Sequence, residues 1–210
     1  MNIRSHSSQP VIGYIIVVIA LAGMICYSLL FWDDMPAQVI TRQAAGRHGA
    51  SAVPRGVSAA AMPATLLVCT LLLMLMPLWN RLVGSTPLRP GPDQRQQTRI
   101  WTAILAMLSA LLLTLHIGIT DMCTGRGPQF PQLAAYGMAV TLIGLAAITA
   151  ILRVRAHRAI VMGLALGGAL VAALAHGLPR AAMTVGTVIM LGGIAAATLL
   201  PQLRNDGGRR

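Results

Sequence analysis

The run Val11–Trp32, VIGYIIVVIALAGMICYSLLFW, is twenty-two residues long and carries no charged side chain. As a helix rising ~1.5 Å per residue it covers the roughly 30 Å hydrocarbon layer of a bilayer. It is too long for a signal-peptide core, and no small-x-small cleavage site follows, so it reads as a retained helix. Runs of the same kind recur at Ala61–Trp79, Ile100–Thr120, Gln132–Leu152, Ile160–Leu178 and Ala181–Leu200. They predict an all-α, polytopic integral membrane protein, a bundle of six transmembrane helices whose main partner is the lipid bilayer.

Composition agrees. Only 10% of the 210 residues are charged, against roughly a quarter in a soluble domain, and the mean hydropathy is +0.71. The formal charge of +11 would suggest nucleic acid if it were gathered on one surface. Here the arginines are scattered between apolar spans, which is the pattern of topology-setting loops, so no nucleic-acid partner is expected. All sixteen basic residues are Arg, with neither Lys nor Glu in the chain. With its abundant Ala and Gly, that is the mark of GC-rich coding and points to a high-GC bacterium.

Arginine placement predicts orientation. With the N terminus inside, eleven arginines fall in inner segments and Arg42, Arg47, Arg55, Arg126 and Arg180 fall outside. The bias puts both termini in the cytoplasm of a multi-pass protein of the bacterial plasma membrane. Trp32, Trp79 and Trp101 each fall at a span end, where amphipathic rings prefer the interface. Asp33–Ala60 is then the longest outer loop, and Asn80–Arg99, with Pro87, Pro90 and Pro92, is an extended polar connector inside. Residues 100–200 form a four-helix region and 201–210 a cytoplasmic tail. The fifth span holds Gly163-x-x-x-Gly167, a spacing that in a multispan protein marks internal packing more often than dimerisation.

Chemistry is looked for among polar residues in or beside the spans, because burying them in hydrocarbon is costly. His116 lies near the outer end of the third span, His176 at the outer end of the fifth, and Asp121 with Cys123 in the loop after the third. These three, His116, Asp121 and His176, are the outer-face polar candidates. His and Asp can ligate divalent ions, yet no H-x-x-x-H or H-E-x-x-H spacing puts two on one helix face. Neither a metal nor another cofactor is assigned. Cys26, Cys69 and Cys123 are an odd number and imply no disulfide framework. No carboxylate lies mid-membrane, Ser109 has no evident base, and the spans read as unbroken by proline and uncharged at their centres. An enzyme and an ion-coupled pump are thus both disfavoured, whereas a small facilitator or transporter subunit stays open as the alternative.

The segment WDDMPAQVITRQAAGRHGASAVPRG, followed by AAAMPATLLV, resembles the N-terminal module of the SdpI-like bacterial immunity proteins. That module has a Leu-Pro pair just beyond its first helix, then Val/Ile, a His-aromatic pair, Gly and a basic end before the second helix. Met35-Pro36, Val39, Thr41, Gly46 and Arg55 fit the order. Arg42 and Gln43 stand where the family usually has His and an aromatic residue. LLPQLRND, Leu199–Asp206, is similar to a family stretch at a helix end. The resemblance makes residues 1–79 one module of two helices and an outer loop. It also implies a non-enzymatic role in toxin immunity or envelope-stress sensing through that loop. Its candidate binding residues are Asp33, Asp34, Pro36, Val39, Arg42, Gly46 and His48. The implied partners are a secreted peptide toxin or other extracytoplasmic ligand, and a cytoplasmic regulator.

Overall fold

A computed structural model describes residues 10–42, 51–82, 94–127, 129–151 and 158–206 of the chain. It contains six α-helices: α1 Val11–Leu30, α2 Arg55–Leu82, α3 Gln94–Cys123, α4 Phe130–Ile151, α5 Arg158–Gly177 and α6 Pro179–Asp206. Two short strands, β1 Gln38–Arg42 and β2 Ser51–Pro54, lie between α1 and α2. Among the described residues, five helices are long and apolar enough to cross a membrane, the qualifying stretches being Val11–Leu30, Arg55–Leu75, Thr98–Cys123, Phe130–Ile151 and Ile160–Gly177. The expected sixth span, Ala181–Leu200, falls on α6, in whose second half the side chains lie outside those described. The protein is therefore an all-α polytopic membrane protein.

Several ends differ from the sequence reading. Helix α2 begins at Arg55, six residues before the expected span, and α3 begins at Gln94 rather than Ile100. Apolarity marks where a helix enters lipid, whereas backbone hydrogen bonding continues beyond it into the polar layer. Proline also enters a span, because α2 runs through Pro63 and Pro77. Pro63 is the ninth residue of that helix, far enough in to cost a backbone hydrogen bond.

Within the helices, many threonine hydroxyls are satisfied locally. Thr65, Thr70, Thr114, Thr141, Thr149, Thr184 and Thr187 each donate their hydroxyl to the carbonyl four residues back. That removes a donor that lipid could not bond. Large apolar side chains such as Val18, Ile19, Leu29, Leu72 and Leu166 are exposed. In a chain of this architecture such outward faces meet lipid.

The chain divides into two compact units. The first comprises 1–14, 92–107 and 131–210; the second comprises 15–91 and 108–130. In the first, α4 contributes Ala135, Ala139, Leu142 and Ala146 at alternating four- and three-residue spacing, packed with Leu164, Val171 and Ala175 of α5 and Ala182 of α6. Small residues let the backbones approach, since van der Waals contact rather than hydrophobic burial holds helices together in lipid. A Cβ added at Gly168 would stand 3.1 Å from the Ala139 carbonyl oxygen.

The Gly163/Gly167 pair divides in its role. A Cβ at Gly167 would stand 2.8 Å from Ile189 Cγ2, whereas one at Gly163 would meet nothing within 4 Å. Gly167→Ala is expected to cost about 1 kcal/mol through forced displacement of Ile189. Gly163→Ala should be neutral or stabilising by up to ~1 kcal/mol, from helix propensity alone. Thermal unfolding of the two variants in one detergent checks the contrast.

Candidate functional site

The second unit gathers its polar chemistry where α1 and α3 end. Helix α1 finishes at Leu30, and the chain then tightens: Trp32 N–H donates to Leu29 O, Asp34 N–H to Phe31 O and Met35 N–H to Trp32 O. These three-residue steps are the usual tightening of a final turn. Pro36 cannot continue a helix, and β1 starts two residues later. Strands β1 and β2 pair antiparallel, with Gln38 opposite Pro54, Val39 opposite Val53 and Ile40 opposite Ala52. A register shift follows between Ile40 and Arg42. Met35 and Val39 are buried, while Ile40 is 66% exposed.

Helix α3 ends in a Schellman motif. Gly125 takes φ 71°, Gly125 N–H donates to Met122 O at 3.2 Å, and Arg126 N–H donates to Asp121 O at 2.9 Å. Gly127 N–H adds a third bond, to Asp121 O at 3.0 Å. This turn aims Arg126 back at the end of α1. Its guanidinium lies 4.7 Å from the centroid of the Phe31 ring and is ion-paired with the Asp34 carboxylate. Phe31 in turn packs on Tyr27 at 4.8 Å between centroids. The Tyr27 hydroxyl closes the circuit by donating to Asp121 Oδ1 at 2.5 Å. On the other side of the loop, Arg55 at the start of α2 lies 4.6 Å over the Trp32 ring and donates to Trp32 O at 3.2 Å.

The result is a clasp of one carboxylate–arginine pair, two cation–π contacts and a phenol–carboxylate bond. It ties the segment after α1 to both neighbouring helices. The ion pair is half-exposed on both sides, so it contributes at most about 1 kcal/mol. The cation–π contacts are worth about 0.5–1 kcal/mol each at such sites. The clasp positions the loop more than it stabilises the fold.

Below it lies a buried pair. His116, 2% exposed, brings Nε2 to 2.8 Å from Ser28 Oγ and to 2.9 Å from Met24 O. A carbonyl oxygen can only accept, so Nε2 carries the proton and donates; the Ser28 oxygen receives its share of that donor. A serine nucleophile would need the lone pair of that same nitrogen. The pair is therefore a hydrogen-bonded tie between α1 and α3, not an activated serine. Ser109 and Thr120 lie on the same face of α3 and are equally buried, each at 2%. Among the described residues, Ser109 Oγ is the buried side-chain atom without a hydrogen-bond partner.

The sequence-derived candidates separate. Asp34 and Asp121 come together through Arg126, while Val39 and His116 are buried elsewhere in the second unit. Asp121 and Cys123, expected in the loop after the third span, sit in the last turn of α3. His116, expected near a solvated interface, is instead buried. Asp33 and Pro36 are exposed. Arg42 lies in β1, but its side chain, like all of Gly46 and His48, lies outside the described residues. His176 belongs to the first unit and has its own partners: Nδ1 is 2.9 Å from the Tyr136 hydroxyl, and its carbonyl accepts from Gln132 at 3.3 Å.

Tyr27, Ser28, Arg126 and Gly127 were not singled out from sequence. For the α3 terminus a signal existed, since Thr-Gly-Arg-Gly directly after an apolar run is a helix stop. Tyr27 and Ser28 gave none, because their partners lie 94 and 88 residues away. Among the described residues no three His, Cys, Asp or Glu side chains gather as a metal-holding group.

Fold and site together define a multi-pass helical membrane protein with a folded, clasped loop at one end of a helix pair. Comparison with protein families, curated proteins and solved structures finds no match to this chain.

Proposed function

We propose that this is a non-enzymatic protein of a bacterial plasma membrane, with six spans and both termini in the cytoplasm. It acts in immunity to a secreted toxin, or in envelope-stress sensing, through the 33–54 segment exposed outside the cell. The observation that carries this reading is the clasp. Arg126, Phe31, Asp34, Arg55 and Trp32 fix the start of the segment to the ends of α2 and α3, and its two strands form a sheet. A connector that only joined two spans would need none of this. The arginine distribution supports the orientation. The likeness of Met35-Pro36, Val39, Thr41 and Gly46 to the SdpI-like module supports the immunity class. On that reading the basic inner loops dock a cytoplasmic regulator.

A deletion strain, its complemented parent and a strain carrying scrambled Pro36–Gly46 test the proposal. Membrane potential and survival are followed in medium conditioned by the same and neighbouring organisms. Faster depolarisation in both the deletion and the scramble is the expected result. Indistinguishable curves in all three strains would end the immunity reading.

The buried face Ser109–His116–Thr120 on α3 favours a second reading, a small facilitator or transporter subunit. Under it, Ser109→Ala abolishes solute uptake and the Pro36–Gly46 scramble leaves uptake intact. Under the first reading the scramble abolishes protection and Ser109→Ala leaves it intact.

A further inference from the structure

Helix α2 joins the hairpin without a linker, since β2 ends at Pro54 and the helix begins at Arg55. Arg55 N–H donates to Ala37 O at 3.1 Å, so the first residue of α2 also continues the pairing of Gln38 with Pro54. Its side chain lies over the Trp32 ring and donates to Trp32 O. The next firm seat of the helix comes roughly three turns later. No residue from Arg55 to Thr65 is buried, whereas Leu66 is 0% exposed and Thr70 8%. Between these two anchors the chain reads Ser58-Ala59-Ala60-Ala61-Met62-Pro63-Ala64, in which Met62 alone has a long side chain with which to pack.

The backbone is loosened in the same stretch. Pro63 has no N–H to give Ala59 O, and its ring crowds that carbonyl. Two residues on, Thr65 Oγ1 donates to Ala61 O at 2.8 Å. That carbonyl is then shared between a hydroxyl and the helical N–H, an arrangement that bends helices. Two nearby rungs of one turn are thus weakened together, and sharp kinks arise at such places.

We propose that Pro63 is a hinge on which β1, β2 and Arg55–Met62 swing as one strap, with Arg55 on Trp32 as its latch. In the latched state Val39 of the strap is buried, at 8% exposure. When the latch opens, Leu66 and Thr70 keep the rest of α2 in place, and the change in backbone angle is taken up at Pro63, as at other hinges of a few residues. On the other side the strap ends at Pro36, directly after Met35, which is buried at the end of α1. This rests on the sensing role proposed for the segment and supplies its moving part.

The test uses the full chain in nanodiscs, with Cys26, Cys69 and Cys123 replaced by serine and spin labels on introduced cysteines. One label pair is Val18→Cys on α1 with Val57→Cys on the strap. The other is Val18→Cys with Leu72→Cys beyond the hinge; all three positions are exposed. Arg55→Gln opens the latch. Val57 lies six residues before Pro63, a lever of ~9 Å, so a swing of roughly 20° carries its label about 3 Å. Arg55→Gln is expected to shift or broaden the Val18–Val57 distances by that amount and to leave the Val18–Leu72 distances unchanged. Adding Pro63→Ala, which restores the missing N–H, should suppress the shift. A folding defect cannot imitate this pattern, because alanine is the better helix former and unfolding would broaden both pairs. Unchanged Val18–Val57 distances in Arg55→Gln overturn the proposal. Equal movement of both pairs also overturns it, because α2 then moves as a rod, and so does a shift that persists with Pro63→Ala. The distances are read in purified protein and survival in cells, so the two readings fail separately. A swinging strap without any survival phenotype would sink the sensing role and leave the hinge standing, and protection with a fixed strap would do the reverse.

Discussion

Replacing Gly127 by alanine is expected to destabilise the purified protein by about 2–3 kcal/mol, the upper end for overpacking at a rigid site. The added Cβ would lie 2.6 Å from the Asp121 carbonyl carbon, the Asp121 Cβ and the Met122 nitrogen. Two of these are backbone atoms in the last turn of α3, which cannot swing aside as a side-chain tip can. Relief requires the 125–127 turn to open. That breaks the Gly127–Asp121 bond, withdraws Arg126 from Asp34 and Phe31, and frees the segment after α1. Gly125 provides the control. Its φ of 71° is left-handed and a Cβ there meets nothing within 4 Å, so Gly125→Ala should cost only about 1 kcal/mol and Gly125→Asn less. Thermal unfolding in detergent, followed by tryptophan fluorescence, distinguishes the three variants. An unshifted transition in Gly127→Ala would show that the clasp does not depend on this turn.

The second large effect is expected at His116. Truncation to alanine removes a donor shared by Met24 O and Ser28 Oγ and leaves a cavity beside them, for about 2 kcal/mol in total. The figure stays moderate for a physical reason. Once the ring is gone, the Ser28 hydroxyl can turn to the Met24 carbonyl, four residues back, as the threonines of this protein do. Ser28→Ala alone should therefore cost only about 0.6 kcal/mol, typical of a hydrogen bond between membrane helices. The double variant should cost less than the sum of the singles, because the two side chains share one interaction. Additive costs in the thermal cycle would mean that the His116–Ser28 bond contributes nothing.

Both sites show where local sequence stops being informative. The apolar cores of the first five spans were legible, because a helix must bring twenty or so residues through hydrocarbon that tolerates neither charge nor unpaired backbone. That demand is local, and each run meets it alone. The helix ends were less legible. Arg55 was read as the basic end of a loop and Asp121 as a loop residue, yet each lies in a helical turn whose hydrogen bonds run past the apolar stretch. Of the candidate site, the loop and the residue types were visible. Asp34, His116 and Asp121 were chosen as polar groups beside spans, a choice that depends on polarity and position alone. Their partners were not visible. Nothing near Asp34 names Arg126, and nothing near His116 names Ser28. Those pairings arise only when α1 and the second half of α3 lie together.

The sequence by itself determined that this chain lives in a membrane as helices, since the free energy of moving each run from water to lipid is a sum over its own residues. Tertiary structure alone decided which glycine of Gly163-x-x-x-Gly167 is packed. It also decided that His116, near a span end, is buried and donates to Met24 O, and that Gln38–Arg42 pairs with Ser51–Pro54 beside a clasp. Each of those outcomes depends on a distance of a few ångströms between residues far apart in the chain, which no local transfer energy encodes.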